Sequence, residues 1–184
     1  MTTAPPLAAQ VQSRLRELGH SVATAESLTG GLLAAALTDV PGASATVRGG
    51  LVAYLDEVKQ GVLGVPTEVL EQDGAVSRRC AEAMARGARQ LLGADWAVST
   101  TGVAGPEPSE GKDVGTVHVA VAGEHRSAHR ALTLQGTRTQ IRAATVTAAL
   151  ELLLTILDTQ LSVGRGTVED HSRSPSRDAN DEEG

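Results

Sequence analysis

The residues best suited to chemistry fall in a few short stretches. The first is Thr24-Ala25-Glu26-Ser27-Leu28-Thr29-Gly30-Gly31, where a serine stands between an apolar run and a glycine-opened helical run. A serine on a sharp strand-to-helix turn is exposed for attack, with backbone N–H groups behind it. The N–H groups of a helix start, here around Thr29, Gly30 and Gly31, can hold an oxyanion or a phosphate. The ordinary alternative is a Ser or Thr that only caps a helix, and on this segment alone that alternative is the better one. The segment is not G-x-S-x-G, and no Ser/His/Asp order stands out.

The second stretch is Gly49-Gly50-Leu51-Val52-Ala53-Tyr54-Leu55-Asp56-Glu57-Val58-Lys59. Tyr54 is the only tyrosine, and Lys59 is one of two lysines, with Lys112, among sixteen Lys and Arg residues. A chain that otherwise uses arginine has placed a lysine beside Val58, Val62 and Leu63. Lysine can be neutralised by partial burial and serve as a base near neutral pH, whereas arginine cannot. An exposed helix lysine is the plainer alternative.

A glycine-rich loop, Thr100-Thr101-Gly102-Val103-Ala104-Gly105-Pro106, follows the apolar run AVST. Open α/β sheets place ligand-binding loops at the C-terminal ends of such strands; a plain turn would look the same. Arg138 and Arg142 lie one helical turn apart and can clamp a phosphate or form a solvated face, the second being favoured by spacing alone. The histidines at 20, 118, 125, 129 and 171 form no H-E-x-x-H pattern, so no metal site is expected. Cys80, the single cysteine, excludes an internal disulfide and a thiolate zinc site and reads as packed on a helix.

These side chains need a scaffold, and the periodicity supplies one. Residues 5–19 place Leu7, Val11, Leu15 and Leu18 at helical spacing, and SVATAES reads as a short buried strand. LLAAALTDV is helical and stops at Pro41-Gly42; 45–54 is extended; helices follow around Asp56 and from Thr67. Ser77 can cap a helix running to about Leu92. Strands are predicted at 95–101, 115–122 and 126–134, the last two from alternation in VHVAVA and RALTL. Thr137 and Gln140 form a capping-box pattern opening a helix to about Leu161. Helices between early strands, then consecutive strands, predict a three-layer α/β/α sandwich on a mixed, mostly parallel sheet of about five strands.

The 184 residues read as one domain, 1–161, followed by an acidic and disordered tail, 162–184. The net charge is −6, and residues 165–184, with six acids and three arginines, carry half of it. No basic surface suggests nucleic acid. The N-terminus lacks the apolar core of a signal peptide, and no apolar run approaches the roughly 20 residues a membrane helix needs. The expectation is a cytoplasmic protein off the membrane. Phe is absent and Trp and Tyr occur once each, so the core must be built from Ala, Val and Leu.

Together AESLTGG, LTDVPGAS, GGLVAY followed by EVK, VLGVP, GAVS, LGAD, TGVAGP and VGTVHVAV resemble the C-terminal domain of the CinA (competence/damage-inducible) family, in family order over about residues 7–160. The resemblance implies a nicotinamide-nucleotide amidohydrolase that converts nicotinamide mononucleotide to nicotinate mononucleotide and ammonia, with no metal or cofactor. It implies Ser27 as nucleophile, Lys59 as base and Tyr54 nearby, the Ser27 proton passing to Lys59 directly or through Tyr54. It further implies Thr101 and the glycines around it (Gly102, Gly105) at the substrate, with Arg142 or its neighbour Arg138 on the phosphate. Longer members carry an N-terminal domain associated with metal-dependent pyrophosphatase activity, for which this chain has no room. The sequence departs from the family at Leu28, where Cys or Ala is usual, and at Leu55-Asp56, where Ser-Asn is usual. It also departs at Glu107-Pro108-Ser109-Glu110-Gly111, where glycines are usual and where added acid would repel a phosphate. Two other readings stand beside this one. One is a non-catalytic competence or DNA-damage partner, docking through the acidic tail. The other is an amidase for a different amide. A homo-oligomer is compatible with either.

Overall fold

The computed structural model describes the backbone of residues 6–166 and side chains as far as residue 160. Its elements follow the hydrophobic pattern closely. In order they are α1 (Leu7–Leu18), β1 (Val22–Glu26), α2 (Leu32–Thr38), a short 3-10 turn (Ala43–Ala45), β2 (Val47–Val52), α3 (Asp56–Leu63), α4 (Thr67–Gln72), α5 (Arg78–Leu92), β3 (Trp96–Gly102), β4 (Thr116–Ala122), β5 (Ser127–Thr133) and α6 (Arg138–Gly166). Most bounds lie within one or two residues of those predicted, the usual uncertainty of helix and strand ends. Ser77 caps α5 as expected, its Oγ accepting from the Cys80 N–H at 3.1 Å.

The sheet order is β2-β1-β3-β4-β5. β1 pairs in parallel with β2 and β3, while β3–β4 and β4–β5 are antiparallel. The mixed five-stranded sheet is therefore present, but half its pairings are parallel rather than most. The links from β3 to β4 (103–115) and on to β5 (123–126) hold no crossover helix, and consecutive strands without a crossover pair antiparallel.

The period-2 alternation of the strands divides the interior into two cores. Val22, Trp96, Val98, Val117, Val119 and Val121 face α1, α2 and α6, with Leu15, Leu33, Leu37, Ile141, Leu153 and Leu157 packed on them. On the opposite face Ala23, Ala25 and Ala97 meet Met84, Ala88 and Cys80 of α5, with Leu63 and Val69 of α3 and α4. Alanine on both sides lets α5 sit close to the sheet, which is how a chain without Phe fills its core.

Two expectations change at α6. The helix continues to Gly166 instead of ending near Leu161, because no proline follows until Pro175 and each added residue gains a backbone bond. The acidic tail expected to be disordered lies, from residue 167 on, outside the described residues. Arg138–Gln160 is also long and apolar enough to cross a membrane by length and composition alone. Its apolar residues Ile141, Leu150, Leu153 and Leu157 are buried against α1 and the sheet, so core packing accounts for them.

The chain leaves β1 toward β2 on one side and later returns to β3 on the other. β1 and β3 thus form a topological switch point, and the crevice beyond their C-terminal ends is where open α/β sheets bind ligands.

Candidate active site

Three connections leave the C-terminal ends of the parallel strands: 27–31 after β1, 53–55 after β2 and 103–115 after β3. They enclose a cleft of about 490 Å³, a size suited to a small ligand. Ser27, Tyr54, Lys59, Thr101, Gly102, Gly105 and Arg138 line it, together with Leu28, Asp56, Glu57, Ala104, Glu107 and Glu110. Thr29, Gly30, Gly31 and Arg142 do not.

Ser27 directly follows the last residue of β1, and its N–H bonds to the Thr100 carbonyl at 2.9 Å, an extra rung beyond the strand. The residue is only 8% exposed, yet its hydroxyl has no hydrogen-bond partner among the described residues. An unpartnered hydroxyl opening on a cleft wall from a mostly buried residue is available to a substrate.

Lys59 sits in the second turn of α3 and is 2% exposed. Its Nζ donates to the Tyr54 carbonyl at 3.0 Å and to Asp56 Oδ1 at 2.9 Å. The partly apolar pocket expected for it is thus supplied with a carboxylate. A neutral amine has two N–H bonds and one lone pair, so these two acceptors leave the lone pair for a proton from elsewhere. Asp56 thus holds the amine in place, and no hydrogen bond joins Lys59 to Ser27 among the described residues.

Tyr54 does not sit as a relay. Its ring is 54% exposed, and its hydroxyl is held by Arg138 Nη2 at 3.0 Å; only its backbone carbonyl touches Lys59. Arg138 Nη1 also donates to the Gly105 carbonyl at 2.6 Å, so this first residue of α6 ties the β3 loop to Tyr54. A guanidinium has five N–H donors, and three of these remain for a ligand.

The turn after Ser27 is built differently from its expected role. Gly30 and Gly31 adopt φ of 58° and 97°, a region open to glycine, and bring the chain back over the end of β1. There the N–H groups of Gly31, Leu33 and Ala34 donate to the Glu26 carboxylate at 3.0, 2.9 and 2.8 Å. Thr24 Oγ1 adds a fourth contact at 3.2 Å. The Gly30 N–H bonds to the Ser27 carbonyl. The helix N-terminus is therefore filled by the protein's own anion, and Gly30 and Gly31 have no N–H left for an oxyanion or a phosphate. Thr29 is buried with its hydroxyl on Thr100 Oγ1 at 2.7 Å.

Arg142 is likewise engaged. Its Nε and Nη2 donate to the carbonyls of Leu28 and Thr29 at 2.9 and 2.8 Å, fixing the two peptides that follow the serine. It is a positioning residue away from the cleft, and Arg138 is the arginine at the substrate side. Thr101 lines the cleft, but its hydroxyl donates to the Ala75 carbonyl at 2.7 Å, which leaves only lone pairs toward a ligand. Gly102 is where β4 presses closest: a Cβ there would lie 2.6 Å from the Thr116 carbonyl.

Among the N–H groups without partners in the described residues are those of Leu28, Thr29, Ala104 and Gly105. Leu28, Ala104 and Gly105 line the cleft, and the first is the residue after Ser27, the position from which a nucleophile's neighbour often donates to an oxyanion. The acids of the 107–111 loop do not turn away: Glu107 and Glu110 both line the cleft, and Glu110 Oε2 also accepts from the Val76 N–H at 3.3 Å. Cys80 is fully buried beneath the site, and burial pushes its thiol up to about 12, so it supplies no thiolate.

Sequence reasoning missed Glu26 and Asp56. The signal for Glu26 was an acid ending an otherwise apolar strand five residues before a glycine-opened helix. For Asp56 it was the i, i+3 spacing to a lysine.

A family model described as the CinA C-terminal domain matches residues 4–157. A CinA-like protein of Frankia casuarinae is 53% identical over 137 residues, 74% of this chain and 32% of that protein. A putative competence-damage inducible protein of Geobacillus is 50% identical over 141 residues, 76% of this chain and 34% of its own length. The chain thus spans about a third of the length of these relatives. Among solved structures, the competence/damage inducible protein CihA from Agrobacterium tumefaciens superposes with a TM-score of 0.79 at 43% identity, covering 86% of this chain and 99% of that one. A CinA superfamily protein from Klebsiella pneumoniae gives 0.81 at 36% identity, covering 83% and 96%.

Proposed function

This chain belongs to the CinA C-terminal domain family, and we propose that it is a serine–lysine amidohydrolase acting on the carboxamide of nicotinamide mononucleotide. The observation that carries this reading is the unpartnered Ser27 hydroxyl in the same cleft as the buried Lys59.

In this mechanism Lys59, as the neutral amine, keeps its two N–H bonds on Tyr54 and Asp56 and takes the Ser27 proton on its lone pair. Asp56 stabilises the ammonium that results, as a carboxylate stabilises the imidazolium of a serine hydrolase. The Ser27 oxygen attacks the carboxamide carbon, and the oxyanion is met by the N–H of Leu28 with Ala104 or Gly105. Losing one such donor commonly lowers the rate by roughly 10²–10³. The lysine proton passes to the leaving amine, ammonia departs, and water hydrolyses the acyl-enzyme. Arg138, with three donors free, takes the phosphate at the cleft rim.

The test is ammonia release from nicotinamide mononucleotide without added metal, wild type against Ser27→Ala. Release that disappears in a folded Ser27→Ala supports the reading. Full release in that variant removes the serine mechanism, and none from the folded wild type removes the reaction.

A further inference from the structure

The charges around the cleft carry the reading one step further, to the part of the substrate that this site recognises; the step rests on the amidohydrolase assignment. Four acidic side chains, Asp56, Glu57, Glu107 and Glu110, and two basic ones, Lys59 and Arg138, line it. Asp56 accepts from Lys59 Nζ at 2.9 Å, and Glu110 accepts from the Val76 N–H. Arg138 lies across the rim on Gly105 and Tyr54. Glu57 and Glu107 have no ion pair and no hydrogen bond among the described residues. They face the same cleft as the unpartnered Ser27 hydroxyl. The one aromatic ring in that lining is Tyr54, half exposed and held in place through its hydroxyl by Arg138.

Two unpaired carboxylates beside a fixed aromatic face form a site for a flat cation. A neutral pyridine carboxamide gains nothing from either carboxylate, and an anionic one is repelled. A ring quaternised at nitrogen is attracted by both carboxylates and by the negative face of the phenol. We propose that Glu57 and Glu107, with Tyr54 as the stacking face, make this site selective for N-substituted pyridinium carboxamides over their neutral counterparts. Selection on the ring charge precedes and is separate from any hold Arg138 has on a phosphate.

The probes are the N1-methylnicotinamide cation and nicotinamide, which share the carboxamide and lack both ribose and phosphate. Wild type, Glu57→Gln, Glu107→Gln and the double variant are compared by kcat/KM for ammonia release. Affinity for each probe is measured by calorimetry on the same proteins carrying Ser27→Ala. The expected result is a preference for the cation of about a hundredfold, with each Gln removing roughly tenfold of it. A preference unchanged in the double variant, or equal handling of the two rings, overturns the proposal. If no compound releases ammonia, nicotinamide mononucleotide included, the amidohydrolase reading fails. The calorimetric preference then decides the charge reading by the same ratio, and no binding of either ring overturns it.

Discussion

Two glycine-bearing turns leave neighbouring parallel strands at the same end of the sheet, and they are built in opposite ways. The turn after β1 is tied down on most sides, with the N–H groups of Leu28 and Thr29 left over. Glu26 takes three backbone N–H groups, Arg142 takes two carbonyls, and the Thr29 hydroxyl is paired with Thr100. The loop after β3 leaves the N–H groups of Ala104 and Gly105 without partners among the described residues and brings two acids to the cleft wall. One turn holds Ser27, the proposed nucleophile, and the other leaves donors open to the same cleft. A helix N-terminus opened by glycines is an anion site only when the chain has not already provided the anion.

The largest effect is expected at Lys59, the proposed base. Lys59→Arg keeps a nitrogen donor for Asp56 but removes a lone pair that can accept a proton. Ammonia release should fall by about 10³-fold or more with the fold intact, and a rate near wild type would break the assignment. Next is the anchor of the turn after β1. Glu26→Ala removes the acceptor of three N–H groups, one buried and two partly buried, and should lower unfolding stability by about 3–5 kcal/mol in a urea titration. A loss below about 1 kcal/mol would mean that the turn is not held as described.

The two arginines sharpen the contrast further. Arg142→Ala should cost about 1–3 kcal/mol of stability and lower kcat, leaving KM for the nucleotide nearly unchanged. Arg138→Ala should do the reverse, raising KM with little change in stability, since both its contacts are exposed. An exchange of those two signatures would return the phosphate to Arg142.

The smallest effect lies away from both turns. His118 Nδ1 and His129 Nε2 are 2.9 Å apart on neighbouring strands. Both are held below the ordinary histidine range, first by burial. For His118 the charges of His129 and Lys112 add to this; for His129 that of Arg78 adds and Glu82 opposes it. The folded state therefore binds fewer protons than the unfolded one once the unfolded imidazoles titrate. Stability should decline as pH falls from about 6.5 and level off below the depressed values. A double His118→Gln, His129→Gln variant should flatten that part of the urea midpoint against pH. A slope unchanged in the double variant would assign the acid sensitivity elsewhere, including to the turns.

The elements were legible because their periodicity is strong: VHVAVA alternates, and α5 carries both a serine cap and an apolar face. The site was legible as a set of residue types, and Ser27, Tyr54, Lys59, Thr101, Gly102, Gly105 and Arg138 do line one cleft. Which of them face a ligand was not, because that depends on whose hydrogen bonds are already taken. Thr101, Arg142 and Gly31 are polar groups whose partners are carbonyls and a carboxylate far from them or unremarked in the chain. The even split between parallel and antiparallel pairing was hidden for a similar reason, since alternation gives a strand's faces but not its neighbours' directions.

The start of α6 ties three parts of the site together: Arg138 reaches the β3 loop and Tyr54, and Arg142 reaches the turn behind Ser27. In order of synthesis this helix is the last of the described elements to leave the ribosome. Ser27, Lys59 and the open loop all exist in the nascent chain before the two arginines that tie the β3 loop, Tyr54 and the turn after Ser27. The proposed activity should thus switch on in a single late event, when α6 docks, and a nascent chain halted before Arg138 should carry both Ser27 and Lys59 and hydrolyse nothing.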